Sequence, residues 1–471
     1  MMADMEKLVP AYETPLHGFR TFIIMWATQS LSFIGSTLTL FAANIWLAQT
    51  LYPRPEQKPA LGLALSATSL AYAIPAVFGA PLAGAWVDRH DRKRTMLVAD
   101  LAGGFLCVVL VMLLATGVLR LWMLLLLLIF YSGFGSYHYA AFDTSYAMLV
   151  PERLLPRANG MMQTMQNLAF LFAPALAAIL ISLPALGRQG VLPGAFGAAI
   201  GHLSSGTALA IAVDGATFFA IAAVLVFLRI PSPMHLASAR LADQPRQSMW
   251  GDVQEGIRYI WYRRPLLWLL TTFAVANLMS EPVYILQPLL VKFNLAGDWS
   301  SRGFRYESAL AFLSTALGVG GVAGGIVVSA WGGLKARRVY GVVIPMLVEG
   351  LATIVFGLSP WLYLSAGMVF MSAFMWPVIN AHSQTIWQTQ TPRELQGRVF
   401  AVRRLFAQGT LPLAAALASF GSLFNVGAVI AVCGVIIAGF CALQLFNPSL
   451  RRVDDKAWLE ELAAQVVTRN G

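Results

Sequence analysis

Acidic side chains lie inside long apolar stretches of this sequence, where an ionised group is costly. Asp214, Glu281 and Glu349 lie deepest in such stretches, whereas Asp100 and Asp143 lie nearer the ends, where we expect water to reach them. A carboxyl group at membrane depth is a functional candidate by default, because hydrocarbon disfavours its charged form. Such a group can take up a proton on one side of a membrane and release it on the other. We therefore regard the three deepest acids as candidates for proton coupling.

Glu281 is the strongest of these candidates because polar residues recur around it at helical spacing. Asn277, Glu281, Tyr284 and Pro288 are separated by four, three and four residues, which places them on one face of a helix. A polar stripe of this kind is expected to face a water-filled cavity. The alternatives for Glu281 are a hydrogen bond between helices and a position near the membrane surface.

Further polar, aromatic and methionine side chains within the apolar stretches are candidates for lining a binding cavity, because such surfaces repack around varied ligands. The same residue types also simply face lipid, and a lone membrane histidine is more often structural than a proton relay. The candidates are Gln29, Ser32 and Ser36 in the first apolar stretch, Tyr131 and His138 in the fourth, Asn277 and Tyr284 in the seventh, and Phe374, Met375 and Asn380 in the tenth.

The composition is that of a polytopic membrane protein. Of the 471 residues, 58% are apolar and 11% are charged, and the mean hydropathy is +0.68, whereas soluble domains have about 45–50% apolar and about 25% charged residues. A soluble enzyme, a disulfide-rich secreted scaffold and a disordered chain are excluded. The three cysteines lie in apolar stretches, so we expect no disulfide and no metal site. Nor does a phosphate-binding loop or a catalytic cluster occur, so we expect neither a cofactor nor enzymatic activity.

Twelve apolar stretches predict twelve transmembrane helices, and hence an all-α fold. Their approximate bounds are Phe19 to Leu47, Leu61 to Ala83, Met96 to Thr116, Leu121 to Phe142, Ala158 to Leu183, Thr207 to Leu228, Leu266 to Val291, Ala309 to Trp331, Tyr340 to Leu358, Trp361 to Gln384, Val399 to Phe420 and Val426 to Phe446.

The basic residues predict the orientation of these helices. If the N-terminus is cytoplasmic, 25 of the 32 lysines and arginines fall in cytoplasmic segments, which is the bias that the positive-inside rule requires. Both termini are therefore expected in the cytoplasm, with no cleavable signal, and the net charge of +10 reflects topology rather than nucleic-acid binding. The predicted organisation is a tail (1–18), a six-helix half (19–229), a linker (230–264), a second six-helix half (265–447) and a tail (448–471).

The linker contains one amphipathic segment. Trp250, Val253, Ile257 and Trp261 share a helical face after a potential cap at Ser248. This pattern predicts a helix that lies on the membrane surface between the two halves. A plain solvated helix is the alternative.

The loop after the second stretch carries a motif with a specific spacing. It resembles the Gly-x-x-x-Asp-Arg-x-x-Arg-Lys/Arg motif of the major facilitator superfamily, at the loop where that family carries it. The matching residues are Gly84, Asp88, Arg89, Arg92 and Lys93. Asp91 stands where many members have a second glycine. A basic anchor that only fixes topology is the alternative function of this loop.

The resemblance implies a latch that makes and breaks as the two halves move. Asp88 would accept hydrogen bonds from the start of the eleventh span near Arg398, and Arg92 would pair with Asp143. Arg157 matches Arg398 in an internal repeat, since both end a Pro-x-x-Leu-x-x-Arg segment, and it completes the predicted latch. Gly84 would let its helix end approach a neighbour closely.

Shorter motifs are similar to those of bacterial macrolide efflux and enterobactin export proteins. They are Pro-Glu-Arg-x-x-x-Arg-Ala-Asn from Pro151 to Asn159, Asp214, Gly256-x-Arg258-Tyr259, Gln390-x-Pro392 and Gly397-Arg398-Val399. This similarity implies export of small amphipathic molecules (drugs, macrolides or siderophores) by alternating access, in exchange for protons. Such a carrier would act as a monomer in the bacterial inner membrane.

The same resemblance places spans one, four, seven and ten around a central cavity and spans six and nine at the periphery. Asp214 and Glu349 lie on these peripheral spans, so structural hydrogen bonding is their alternative role. Ser36 occupies a place where related exporters often have an acid. Two other functions remain open from the sequence: a facilitator or importer of a lysolipid or other small solute on the same fold, and a non-transporting membrane receptor or scaffold.

Overall fold

The computed structural model of the protein describes residues 18–87, 90–151, 154–203, 205–230, 249–391, 395, 399–400, 402–403, 406, 409–455 and 458–459. Nearly all of these residues are helical, and none of them is in a strand. The predicted all-α architecture is confirmed.

Helices occur at all twelve predicted positions. They are α1 (Gly18–Trp46), α2 (Lys58–Val87), α3 (Arg92–Ala115), α4 (Leu121–Leu149), α5 (Leu155–Arg188), α6 (Gly206–Phe227), α7 (Arg264–Leu289), α8 (Tyr306–Trp331), α9 (Tyr340–Leu358), α10 (Leu362–Gln390), α11 (Leu411–Gly421) and α12 (Val426–Leu445). Eleven helices in the described ranges are long and apolar enough to cross a membrane, and the shorter α11 lies within the predicted eleventh span.

Local sequence explains several helix starts. Asp91 accepts a hydrogen bond from the backbone N–H of Arg94 at 2.7 Å, so the residue that departs from the loop motif caps α3. Ser205 and Asn425 cap α6 and α12 in the same way. On the bundle surface, large apolar side chains such as Phe227, which is 85% exposed, provide the lipid-facing contacts that a membrane helix needs.

The second six helices repeat the packing of the first six. In the first half, α3 packs along α6, α2 along α4, and α1 along α5 and α6. In the second half, α9 packs along α12, α8 along α10, and α7 along α11 and α12. Each pair in one half thus has a counterpart six helices later.

The two halves meet along two equivalent seams, α2 with α11 and α5 with α8. Glycines permit the close approach there. A Cβ atom added to Gly318 would lie 2.6 Å from the Cα atom of Leu171, and one added to Gly62 would overlap the side chain of Ser422. The glycine-rich stretch of α8 therefore serves helix packing.

Successive helices run in opposite directions, so their connections alternate between two ends of the bundle. We name them the Lys292 end, which holds the connection from α7 to α8, and the Asp91 end, which holds the connection from α2 to α3. At the Lys292 end, α1 and α7 each continue into a π-helical turn, Leu47–Leu51 and Leu290–Asn294. Neither turn was predicted from the sequence.

The predicted linker helix is present as Met249–Tyr262. Tyr259 anchors it at the Asp91 end, because its hydroxyl donates to the carbonyl of Gln390 at 2.6 Å. Ile257 and Trp261, two residues of the predicted apolar face, are exposed, whereas Ile260 is buried against the bundle. This arrangement leaves an apolar surface that suits a membrane interface.

Candidate functional site

A cavity of about 260 Å³ lies between the two halves, and Glu281 lines it. Residues of α1, α2 and α4 form one wall, and residues of α7 and α11 form the other. Tyr284 and Pro288, from the predicted stripe, line the same cavity. The stripe on α7 thus faces the boundary between the halves, where a bound molecule would contact both of them.

A second cavity, of about 210 Å³, lies within the second half and contains Glu349. Asn277 from α7 and Asn380 from α10 line it, together with Arg403. The Glu349 carboxylate accepts hydrogen bonds from Ser280 at 3.0 Å and from the Trp376 indole at 3.4 Å. Although α9 was expected at the periphery, its acid points into the interior of this half.

A narrow pocket lies between these two cavities and shares lining residues with each of them. Ser280 and Glu349 line both that pocket and the second-half cavity, while Tyr284 lines both that pocket and the cavity between the halves. Carboxyl groups therefore lie in both of the cavities beside this pocket, Glu281 at the boundary between the halves and Glu349 inside the second half.

Asp214 lies at the centre of a hydrogen-bond network in the first half. Its side chain is fully buried on α6 and accepts hydrogen bonds from Thr39 at 2.6 Å and from Tyr131 at 2.9 Å. The thiol of Cys107 lies 3.6 Å away, and the Tyr131 hydroxyl lies 2.7 Å from Ser36. One carboxylate thus joins α1, α3, α4 and α6.

A third polar cavity, of about 60 Å³, lies inside the first half. Its lining includes Gln29, Ser32 and Ser36 from α1 and Tyr131 and His138 from α4. The polar stripe of the first span therefore faces the interior of its own half, and not the cavity between the halves.

The predicted position of Asp100 was wrong, since we expected this residue near the membrane surface within reach of water. It is 1% exposed and lies 2.8 Å from His138. The apolar stretch was taken to begin at Met96, but α3 begins at Arg92 because Asp91 caps it. The carboxyl group therefore lies more than two turns inside the helix.

The described part of the predicted latch joins α3 to the ends of α4 and α6. The buried guanidinium of Arg92 donates to the carbonyl of Thr144 at 3.0 Å, next to the exposed Asp143. Lys93 donates to the carbonyl of Val226 at 2.8 Å, in the last turn of α6. Both cations thus interact with the carbonyl end of a helix, which the helix dipole favours.

Other latch residues are described in part or not at all. Asp88, Arg89 and Arg398 lie outside the described residues, as does the side chain of Arg157. A Cβ atom added to Gly84 would meet no described atom within 4 Å. The described residues therefore do not show the close approach expected at this glycine.

Polar contacts close the Lys292 end between the halves. The ammonium group of Lys292 donates to the carbonyl of Ala48 and to that of Tyr52, the latter at 2.7 Å. Gln49 donates to Glu307 at 2.7 Å, and Lys58 donates to the carbonyl of Phe424 at 2.8 Å.

Sequence reasoning missed Lys292 and Arg403 as site residues. Lys292 was counted only as a loop cation, although its place directly after the polar stripe of α7 was a usable signal. The Arg403 guanidinium donates to Gln384 at 2.7 Å and to Ser383 at 3.2 Å. Conversely, neither Phe374 nor Met375 lines the cavities described above.

Relatives with similar sequences include bacterial efflux proteins. Macrolide efflux protein A of Streptococcus pyogenes is 24% identical over 446 residues, which cover 92% of this chain and 98% of that protein. Macrolide efflux protein A of Enterococcus faecalis is 26% identical, with 74% of this chain and 98% of that protein covered. The multidrug efflux pump Tap of Mycolicibacterium fortuitum is 24% identical, with 76% and 80% covered.

Solved transporter structures share the fold at low sequence identity. The nucleoside transporter NupG superposes with a TM-score of 0.61 at 12% identity, with 92% of this chain and 99% of NupG covered. A bacterial homologue of the human lysosomal transporter Spinster, in an inward-facing and unoccupied conformation, superposes with a TM-score of 0.60 at 15% identity, with 96% of each chain covered.

Comparison of the sequence with models of protein families agrees with the repeated six-helix packing and with the loop motif. The sequence matches the family model of the Major Facilitator Superfamily over residues 25–415, which is most of the chain. The efflux proteins above match over most of their own length as well. This chain therefore belongs to the Major Facilitator Superfamily and is a membrane transporter, not an enzyme.

Proposed function

We propose that this transporter exports small amphipathic molecules (drugs, macrolides or siderophores) in exchange for protons. It acts as a monomer in the bacterial inner membrane, with both termini and the Asp91 end in the cytoplasm. The observation that carries the proposal is the position of Glu281 in a cavity whose walls come from both halves. A proton and a substrate that compete for one such site would be transported in opposite directions.

The substrate class is supported by the relatives and by the lining of the cavities. Proteins named for macrolide efflux and multidrug efflux align with most of this chain. The cavity between the halves combines apolar residues such as Leu40 and Ile285 with the polar side chains of Asn44 and Tyr284. An amphipathic molecule would satisfy both kinds of surface.

Alternating access is supported by the contacts at the Lys292 end, which hold the halves together there. In this conformation the substrate path would open toward the cytoplasm, as in the inward-facing Spinster homologue. Opening the Lys292 end would require these contacts to break. The Asp91 end would close through the latch, with Asp88 against the start of the predicted eleventh span near Arg398 and Arg92 with Asp143 at the end of α4.

We assign the proton-coupling role first to Glu281 and second to Glu349. Glu281 lines the cavity between the halves and Glu349 lines the adjoining pocket, so each carboxyl group borders space that water or substrate can occupy. Asp214 is fully buried and accepts hydrogen bonds from Thr39 and Tyr131, so we assign it a structural role.

The experiment that tests this function is accumulation of labelled erythromycin, ethidium and enterobactin in efflux-deficient bacteria. Cells that express the wild-type protein should accumulate less of at least one compound, and a protonophore should abolish the difference. Glu281→Gln should behave like the empty vector, because an amide cannot exchange a proton. Glu56→Gln, which changes an exposed acid outside the cavities, should behave like the wild type.

Two results would contradict the proposal. Export that survives the protonophore and Glu281→Gln would indicate a facilitator. Unchanged accumulation of every compound, with membrane expression confirmed, would favour a carrier of a lysolipid or another small solute.

A further inference from the structure

Three buried side chains contact one another in series across the first half. The transport mechanism proposed above gives none of them a role. Asp100 on α3, His138 on α4 and Gln29 on α1 are 1%, 6% and 5% exposed. The Nδ1 atom of His138 lies 2.8 Å from Oδ1 of Asp100, and its Nε2 atom lies 2.7 Å from Oε1 of Gln29.

The short distances around His138 favour one extra proton on the Asp100–His138 pair. Both ring nitrogens of His138 face oxygen atoms, but a neutral imidazole carries only one N–H. Both contacts are satisfied when the Asp100–His138 pair holds one further proton, either as an imidazolium beside a carboxylate or as a neutral imidazole beside a carboxylic acid. If that proton left, one ring nitrogen would face an oxygen with no hydrogen between them.

Unused hydrogen-bonding groups beside the pair suggest how the proton moves. Among the described residues, Nδ1 of His138 has no aligned hydrogen bond despite its 2.8 Å distance from Oδ1 of Asp100, and neither Oδ2 of Asp100 nor Nε2 of Gln29 has a hydrogen-bond partner. Both side chains line the first-half cavity of about 60 Å³, which has room for water. A half-turn of the Gln29 amide would direct its NH₂ group to His138, which would satisfy the pair after proton release.

The second half contains a similar arrangement. Glu349 lies on α9, the counterpart of α3, and it contacts Ser280 on α7 and Trp376 on α10. In each half, a buried acid on the third helix thus contacts a side chain of the fourth helix. Glu349 also contacts the first helix of its half directly, whereas Asp100 reaches Gln29 on α1 through His138. The repeat therefore places one such carboxyl group on each side of the cavity between the halves.

We propose that Asp100 and His138 form a proton-binding site in the first half, which couples proton entry to export. The pair has no net charge when it holds the proton and a charge of −1 when it has released it. Movement of this half is favoured in the neutral form, because an uncompensated charge is costly in a low-dielectric interior. The coupling part of this proposal rests on the proposed function.

Other ionisable groups face the pair from the surrounding helices. Asp143 is the second carboxylate whose charge acts on His138. Arg92 lies two turns before Asp100 on α3 and binds the end of α4. The remaining groups are Tyr72 on α2, Tyr131 and Tyr139 on α4, which line the same cavity, and Asp214 on α6, which Tyr131 contacts.

Infrared difference spectroscopy of the full-length protein in nanodiscs tests the site without any substrate. Aspartate is labelled with ¹³C at its carboxyl carbon, and the pH is varied from about 4 to about 9, the range of shifted carboxyl and imidazole groups. A carboxyl band of the wild type should titrate, disappear in Asp100→Asn, and change its midpoint in His138→Gln. Glu56→Gln should leave it unchanged.

Identical aspartate spectra for the wild type and both variants across this range would overturn the proposed site. If Asp100→Asn does not fold, an unchanged midpoint in His138→Gln overturns it.

A transport assay then tests the coupling. In proteoliposomes, Asp100→Asn should reduce accumulation of labelled erythromycin driven by a pH gradient to the level of protein-free liposomes. It should retain exchange of labelled for unlabelled erythromycin, which needs no net proton movement. Wild-type accumulation by Asp100→Asn would refute coupling through this pair. If the wild type itself fails to accumulate erythromycin, the proposed function fails, while the infrared titration still decides whether the pair binds a proton.

Discussion

The acids of this transporter differ in the number of side-chain donors around them. Asp214 accepts hydrogen bonds from Thr39 and Tyr131, and Cys107 lies beside it. Glu281 is half-buried and faces the cavity between the halves. A carboxylate with several donors from different helices contributes to stability, whereas one that faces a cavity is available for exchange.

This difference predicts the behaviour of Asp214 variants. Asp214→Leu removes the acceptor for the Thr39 hydroxyl and leaves the Tyr131 hydroxyl with Ser36 as its partner. A buried donor left without a partner costs about 1–3 kcal/mol. Asp214→Asn keeps one acceptor oxygen and should be milder. We therefore expect a clearly lower melting temperature for the leucine variant in detergent, followed by tryptophan fluorescence. Equal melting temperatures for Asp214→Leu and the wild type would show that the network is not structural.

Individual residues also show what can and cannot be predicted from the sequence. The stripe of Glu281 and Tyr284 followed from helical periodicity alone, and the structure places both at one cavity. The partnership of Asp100 with His138 did not follow, because periodicity reports which residues share a face but not which faces of two helices meet. The depth of Asp100 was missed because a cap at Asp91 starts α3 earlier than hydropathy indicates.

The positions of the helices were predicted well from the sequence. Eleven long apolar helices lie where the apolar stretches predicted them, because burial in lipid requires long runs of apolar residues. The end of α4 was predicted less well. That helix continues to Leu149, beyond the predicted end at Phe142, because Asp143 and Thr144 interrupt the apolar run without interrupting the helix.

The π-helical turns at the Lys292 end are elements that hydropathy cannot predict, and they bring the halves into contact. Lys292, in the turn after α7, donates to the carbonyls of Ala48 and Tyr52 at the turn after α1. An ammonium group at the carbonyl end of a helix is favoured by the helix dipole. Lys292 therefore stabilises closure of this end.

Replacing Lys292 should weaken that closure. We expect Lys292→Met to increase labelling of a cysteine introduced at Asn44, in the cavity between the halves, by a membrane-impermeant maleimide added from outside. The background variant lacks the three native cysteines. Lys335→Met, at an exposed position of the opposite end, is the matched control. Labelling that is equally slow in both variants would contradict a closing role for Lys292.

Helix α8 offers a second test of closure. Gly318 faces the backbone of α5 at the seam, whereas a Cβ atom at Gly321 would meet nothing within 4 Å. Gly318→Leu should force α5 and α8 apart, at a cost of about 1–3 kcal/mol for overpacking, while Gly321→Leu should be tolerated. The readout is crosslinking by a short bifunctional maleimide between cysteines placed at Gln49 and Glu307, whose side chains are in contact across the halves. Equal crosslinking in both leucine variants would show that the seam does not control closure.

At the scale of the whole molecule, two similar six-helix packings meet along α2 with α11 and α5 with α8. The adjoining cavities contain Glu281 at the boundary between the halves and Glu349 inside the second half. Contacts at the Lys292 end hold the halves together on one side. Relative movement of the halves would expose Glu281 to opposite sides of the membrane in turn, which is what exchange of a proton for a substrate requires.

The exchange itself is measured most directly as proton movement driven by substrate. Proteoliposomes are loaded with erythromycin and a pH-sensitive dye and are then diluted into erythromycin-free medium. The wild type should acidify the interior as erythromycin leaves, and Glu281→Gln should not. Erythromycin efflux by the wild type with no change in internal pH would contradict proton exchange and would identify the protein as a facilitator.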